Sequence, residues 1–326
     1  MRLGIVGTGT IAREVLPQLR DWGYAPAALC GTPRSREITE TLCAAHQIPA
    51  AYNDYGQMLE QIKPEAVYLA VPNQLHFRYA DQALRAGCHV IVEKPMTAAL
   101  REAEALVWLA KERGLFLFEA ISTRYLPNYQ ELARLLPEVG RVRLVSCNFS
   151  QYSRRYDAFR TGQTPPVFDP ACAGGALMDL NLYNLHWLVG LFGAPRSLRY
   201  QANLERGIDT SGVLSLYYGA FQAVSIAAKD CGAPARYTIQ GDRGYLLQTT
   251  PANHCGEILL HRNDGREERF NLEPEHRLQP EFQSFLRQME SGDRTRCYEL
   301  LADSLTVVGL LTAARRDAGI VFPADE

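Results

Sequence analysis

A short apolar run, Leu3-Gly4-Ile5-Val6, leads directly into Gly7-Thr8-Gly9-Thr10-Ile11-Ala12, and a helical pattern follows from about Ile11 to Trp22, ending at Gly23. A strand, a G-x-G-x-x-A loop and a helix in that order constrain this chain more than any other feature. Gly7 permits the tight turn, and Gly9 lets the backbone approach a pyrophosphate. Ala12 keeps the helix close to the strand, while the helix N-terminus offers amide donors and a positive dipole. The context carries the motif. Further apolar strands are expected at 26–30, 66–71, 90–92 and 115–118, separated by helical stretches, one of which ends near Gly87. Continuous apolar strands alternating with helices imply a parallel sheet covered on both faces.

After about Ile121 the pattern changes. Longer, alternating strands are expected at 141–152, 199–204, 213–218, 221–227, 237–240 and 256–262, with Asn263-Asp264-Gly265 as a hairpin turn. Helices are expected near 173–192, 280–290 and 298–315. The fold class is therefore α/β: a doubly wound parallel sheet over 1–121, then an α+β domain with a large, mostly antiparallel open sheet over 122–326. Two domains suit a chain of 326 residues.

A net charge of −2 with 21% charged residues shows no basic excess that would ask for nucleic acid or a membrane surface. The expected partner is a small molecule. Apolar segments such as Thr306 to Leu311 fall short of the roughly 18 residues a bilayer span needs. Eight cysteines lack any Cys-x-x-Cys pair, so no metal is expected and the thiols read as small buried apolar groups. The N-terminus runs straight into a strand pattern without the features of a signal peptide, and a cytoplasmic location is expected.

In folds of this type an acidic residue at the end of the second strand holds the ribose 2′-hydroxyl of NAD. Here the segment reads Leu29-Cys30-Gly31-Thr32-Pro33-Arg34-Ser35-Arg36, with no carboxylate before Glu37. Hydroxyls and arginines suit a 2′-phosphate, so NADP(H) is favoured, with NAD(H) as the alternative and Thr32 and Arg34 as candidate contacts. Of the 34 basic residues only Lys63, Lys94, Lys111 and Lys229 are lysine. A retained lysine can lose a proton where arginine cannot.

Four segments carry a family resemblance. They are Ala70-Val71-Pro72-Asn73-Gln74-Leu75-His76, Glu93-Lys94-Pro95, Gly174-Gly175-Ala176-Leu177-Met178-Asp179 and Gly241-Asp242-Arg243-Gly244. In order and spacing the chain resembles the glucose–fructose oxidoreductase, inositol dehydrogenase and MocA group from residue 1 to about 320. Tyr183 stands where the commonest family pattern has histidine, as in the dihydrodiol dehydrogenase branch, which Glu119-Ala120 and Arg124-Tyr125-x-Pro127 also resemble. The resemblance implies a Rossmann domain followed by an open sheet that often forms oligomer contacts. It further implies an NAD(P)-dependent dehydrogenase, with Val71, Pro72, Asn73, His76, Glu93 and Lys94 lining the cofactor.

The chemistry agrees. Hydride transfer from a carbinol needs a base for the hydroxyl proton, and Lys94 closes a central strand, where α/β sheets place their ligands. Asp179, Tyr183 and His186 fall at i, i+4 and i+7, one helical face. Lys94 and Tyr183 are the candidate acid/base groups, and Asp179 is expected to orient a hydroxyl or the lysine. Tyr152 and Arg155, in the polar and aromatic segment from Gln151 to Asp157, join Asp179, Tyr183 and His186 as substrate contacts for a sugar, cyclitol or diol. The outer face of a wide second sheet needs cover, so a homo-oligomer, a dimer first, is expected. The competing reading is a non-catalytic regulator that senses cofactor or sugar on the same fold. Retention of Lys94, Asp179 and Tyr183 together favours the enzyme.

Overall fold

The computed structural model describes residues 1–325. The chain forms two compact units: Met1–Ala120 with Phe282–Ala302, and Ile121–Glu281 with Asp303–Glu326.

The first unit is built on β1 (Arg2–Val6), β2 (Ala25–Cys30), β3 (Ala51–Tyr52), β4 (Ala66–Leu69), β5 (His89–Glu93) and β6 (Leu117–Ala120). They lie in the order β3-β2-β1-β4-β5-β6, and every pairing is parallel. The order reverses between β1 and β4, which opens a crevice at their carboxyl ends. Buried side chains along β4 (Ala66, Val67, Tyr68, Leu69) and at Val90, Ile91 and Val92 of β5 show why the sequence had no alternation there. Helices α1 (Thr10–Val15), α2 (Arg36–Ala45), α3 (Tyr55–Ile62), α4 (His76–Arg85) and α5 (Leu100–Glu112) connect the strands.

The first helix is shorter than its pattern suggested. Pro17 has no N–H and its ring crowds the carbonyl four residues back, so α1 closes at Val15 and the chain reaches Gly23 through turns. Residues 282–302 bring an aromatic cluster to this unit. Phe282 lies 5.3 Å from the Trp22 ring and 5.3 Å from Tyr68, and Phe285 stacks on Phe118 at 4.5 Å.

The second unit holds α6 (Pro127–Leu135), β7 (Val142–Ser150), α7 (Arg154–Arg160), α8 (Leu182–Phe192) and strands β8 (Ser197–Glu205), β9 (Ile208–Tyr217), β10 (Gln222–Ala228), β11 (Arg236–Gly241), β12 (Gly244–Gln248), β13 (Ile258–Arg262) and β14 (Glu267–Phe270). The sheet order is β14-β13-β12-β11-β7-β10-β9-β8. All neighbours are antiparallel except β7 and β10, which run parallel with Ser150 opposite Ala228. The expected hairpin joins β13 to β14, with Gly265 at φ 89°. Short β3, β12 and β14 carried too few alternating residues to be seen in advance.

One sheet face is covered by α8, whose residues 182–189 are all buried. On the other face Leu144 and Tyr217 are exposed, and with Leu198 and Val224 they line a shallow depression of about 500 Å³. Two further helices follow, α9 (Gln279–Ser291) and α10 (Thr295–Asp317). By length and composition α10 could cross a membrane, its most apolar 18 residues having a mean hydropathy of 1.4. Glu299 and Asp303 interrupt its apolar residues, so the sequence shows no unbroken apolar run there. Its Cys297, Leu301, Val307, Val308 and Leu311 are buried in protein, and buried Arg315 pairs with Asp325 at 2.5 Å.

Candidate active site

The glycine loop is fitted tightly to its neighbours. Gly7 sits at φ 113°, and a β-carbon there would lie 2.1 Å from the Ala70 carbonyl oxygen, so only glycine allows the turn. Its N–H donates to Cys30 O at 2.9 Å. Gly9 caps α1, and a β-carbon there would meet nothing within 4 Å. That open space beside the amides of Thr10 and Ile11 is what a pyrophosphate requires. Ala12 is fully buried.

Around this cradle runs a crevice of about 390 Å³ lined by Gly7, Thr8, Gly9, Gly31, Thr32, Val71 and Pro72, among others. The lining residues Val6, Cys30, Ser35, Ala70, Leu75 and Tyr79 were not among the cofactor contacts expected from sequence. Tyr79 stacks on Tyr55 at 4.8 Å and offers a flat wall. Its place, one helical turn past the Pro72-Asn73 turn, was a signal that could have been read. Thr32 and Arg34 are exposed on the turn after β2, whereas Arg36 is engaged by Glu40 at 2.9 Å.

At the carboxyl end of β5 the Lys94–Pro95 peptide is cis, and the turn is held at several points. Glu93 accepts from the Lys94 N–H at 3.4 Å and from the Tyr68 hydroxyl at 2.7 Å. Glu119 accepts from the Met96 N–H at 2.9 Å. His76 is completely buried, with Nδ1 2.7 Å from Pro95 O and Nε2 2.9 Å from Val71 O. Burial holds its pKa below the ordinary histidine value against the pull of those two carbonyls. The imidazole therefore sits between the crevice wall at Val71 and the turn that carries Lys94, a neutral ring donating its single N–H to one of the two carbonyls. Lys94 itself is half-buried.

In the second unit the chemistry gathers at the carboxyl ends of the parallel pair β7 and β10. Gln151 N–H donates to Ala228 O and Ser153 N–H to Lys229 O, both at 2.9 Å. Lys229, just past β10, is buried and forms an ion pair with Asp179. Nothing in the spacing tied Lys229 to Asp179; the scarcity of lysine was the only signal. Asp179 lies in a wider-wound turn, Leu177–Asn181, that precedes α8. Wide turns of this kind often occur at functional sites. The extra winding breaks the simple i, i+4, i+7 face expected from sequence. Asp179 is part-exposed, the Tyr183 ring is 8% exposed beside Phe149, and His186 is 1% exposed within the core.

The start of this turn has its own anchor. Asp209 accepts from the Leu177 N–H at 2.6 Å and the Tyr200 hydroxyl at 2.7 Å. Burial pushes its carboxyl up to about 6. Gly175, at φ 103°, leaves room for it, since a β-carbon there would lie 2.1 Å from Asp209 Oδ1. Tyr152 is 43% exposed, with its hydroxyl on Asp157 at 2.6 Å, and Arg155 is exposed on α7. The polar and aromatic segment from Gln151 to Asp157 is thus a turn and the first turn of α7.

Comparison with known proteins bears on both units. The profile described as "Oxidoreductase family, NAD-binding Rossmann fold" matches residues 1–121, and that of the "GFO/IDH/MocA C-terminal domain" matches residues 129–247. The chain is 32% identical over 329 residues to scyllo-inositol 2-dehydrogenase (NADP(+)) IolU of Bacillus subtilis (strain 168), covering 100% of this chain and 99% of that protein. It is 27% identical over 346 residues to trans-1,2-dihydrobenzene-1,2-diol dehydrogenase of Sus scrofa, covering 100% and 99%. The structure of KijD10, a 3-ketoreductase from Actinomadura kijaniata in complex with NADP and TDP-benzene, is similar with a TM-score of 0.84, 26% identity and 97% of each chain covered. With the two profiles matched in order over 1–121 and 129–247, and the Bacillus subtilis relative matched over the whole chain, this protein belongs to the GFO/IDH/MocA family of NAD(P)-dependent oxidoreductases.

Proposed function

We propose that this oxidoreductase uses NADP(H) in preference to NAD(H) and acts on a hydroxyl-bearing or carbonyl carbon of a sugar, cyclitol or diol. The observation that carries the reading is the Lys94 turn, fixed by Glu93, Glu119 and His76 at the carboxyl end of β5. The loop Gly7, Thr8, Gly9, Thr10, Ile11 and Ala12 would hold the pyrophosphate. Thr32 and Arg34 would meet the 2′-phosphate, and Val71, Pro72, Asn73 and Tyr79 would line the nucleoside. When bound, the nicotinamide supplies the hydride-transfer chemistry. Lys94 takes the hydroxyl proton in oxidation and returns it in reduction, with Tyr183 as the second acid/base group. Asp179, ion-paired with Lys229, orients the hydroxyl. Tyr152 and Arg155 would contact the outer part of the substrate.

The substrate class is supported by the cyclitol and diol dehydrogenases that the chain resembles over its whole length. The exposed apolar face around Leu144, Leu198, Tyr217 and Val224 supports a symmetric dimer. Six buried free thiols suit the reducing cytoplasm. The test is turnover of NADP⁺ and NAD⁺ against inositols, aldoses and diols, with NADPH and NADH against the matching ketones. We expect NADP⁺ reduction with at least one polyol. Tight cofactor binding without turnover across the panel would reject the enzyme in favour of a sensor.

A further inference from the structure

We propose that Thr39 commits this chain to the 2′-phosphorylated cofactor, because it fills the space that an acidic residue at position 31 would need. The inference rests on the NADP(H) preference proposed above. In folds of this type that take NAD, a carboxylate at the end of the second strand accepts from the ribose hydroxyl. Gly31 occupies that position here, and the usual reading would be a missing acid that one substitution could restore.

The geometry points elsewhere. A β-carbon on Gly31 would lie 2.1 Å from Thr39 Oγ1 and 2.7 Å from Ser35 Oγ. Both distances are far inside van der Waals contact, and neither neighbour is free to move. Thr39 is 1% exposed, and its hydroxyl donates to Ser35 O at 2.9 Å, so turning it about χ1 breaks that bond inside the protein. Ser35 Oγ accepts from the Thr32 N–H at 2.8 Å and lies 3.1 Å from Thr32 Oγ1. The backbone is pinned as well, since the Gly31 N–H donates to Tyr52 O at 2.9 Å. Any side chain at 31 must therefore turn the Thr39 hydroxyl off Ser35 O, the closer of the two clashes, and push Ser35 Oγ within the Thr32–Ser35 turn that presents the proposed phosphate contacts. Conversion to NAD(H) needs two coupled changes, with space made at 39 before an acid is placed at 31.

Fluorescence titration with NADPH and with NADH tests this without knowledge of the substrate, on the wild type, Gly31→Asp, Thr39→Ala and the double variant. We expect Gly31→Asp to weaken NADPH binding at least ~10-fold with no gain for NADH. The double variant should bind NADH at least ~10-fold more tightly than Gly31→Asp does, the range in which a carboxylate–hydroxyl contact acts. Thermal melts of Gly31→Ala and Gly31→Ala/Thr39→Ala keep the test open should the aspartate variant not fold. Gly31→Ala should lower Tm by at least ~4 °C, and Thr39→Ala in the same chain should return most of that loss. The proposal is overturned if Gly31→Ala melts with the wild type, or if Gly31→Asp alone binds NADH as tightly as the double variant. Should the wild type bind NADH more tightly than NADPH, the preference reading fails, and the melting cycle still decides whether Thr39 excludes a side chain at 31.

Discussion

Lys229→Met removes a buried ammonium while keeping a side chain of similar length and volume. The Lys229 side chain is 7% exposed and its partner Asp179 is 31% exposed. Breaking a fully buried ion pair by deleting one partner costs about 3–5 kcal/mol. Asp179 keeps part of its hydration, so a loss of about 1–3 kcal/mol is expected here. For a chain of this size that corresponds to a fall in Tm of roughly 2–10 °C. Stability alone would not separate a structural pair from a functional one, so turnover is measured on the same preparations. Without its cation the carboxylate loses one of its fixed contacts, and turnover should fall at least ~10-fold with cofactor affinity unchanged. Lys229→Arg should recover stability more fully than turnover, because a planar fork does not reproduce the single contact of an ammonium. The cycle with Asp179→Asn should show coupling of at least ~1 kcal/mol. A Lys229→Met protein that melts and turns over like the wild type would refute the reasoning.

Lys94→Ala should reduce turnover by roughly 10²–10⁴-fold with cofactor affinity little altered, and Tyr183→Phe should reduce it less. Steady-state kinetics with parallel cofactor titration checks this, and unchanged turnover in Lys94→Ala removes its proposed role. Asp209, lifted by burial from 3.8 to about 6, makes a stability contribution that is complete below about 4 and lost as the pH rises through 6. The loss across that window is up to about 3 kcal/mol. Asp209→Asn keeps an acceptor for the Tyr200 hydroxyl and the Leu177 N–H, and should flatten that part of the profile. Melting curves of the two proteins that run parallel from pH 4 to 7 would show that Asp209 is not the titrating group.

The local grammar of the chain was sufficient for the first sheet apart from its two-residue edge strand β3. Apolar runs bounded by helices can only be buried from both sides, and the spacing of Gly7, Gly9 and Ala12 describes a recurrent strand-to-helix turn, although the contacts that require Gly7 come from Ala70 and Cys30 on neighbouring strands. Glu93-Lys94-Pro95 and Gly174-Gly175 were legible through the family resemblance that they carry, while the contacts that hold them come from distant residues such as Glu119 and Asp209. Tertiary structure decided what depends on partners distant in sequence. Periodicity marks a residue as buried without saying which core receives it, so residues 282–302 could not be assigned to the first unit in advance. The phase of Asp179 against Tyr183 was set by a wide turn, Leu177–Asn181, anchored by Asp209 from another strand. Lys229 reaches Asp179 across a separation of 50 residues. The parallel pairing of β7 with β10 holds the Lys229 backbone against the end of β7. The space missing at Gly31 likewise belongs to Thr39 on the next helix, and excluded volume is a property of the packed fold that neither residue carries by itself.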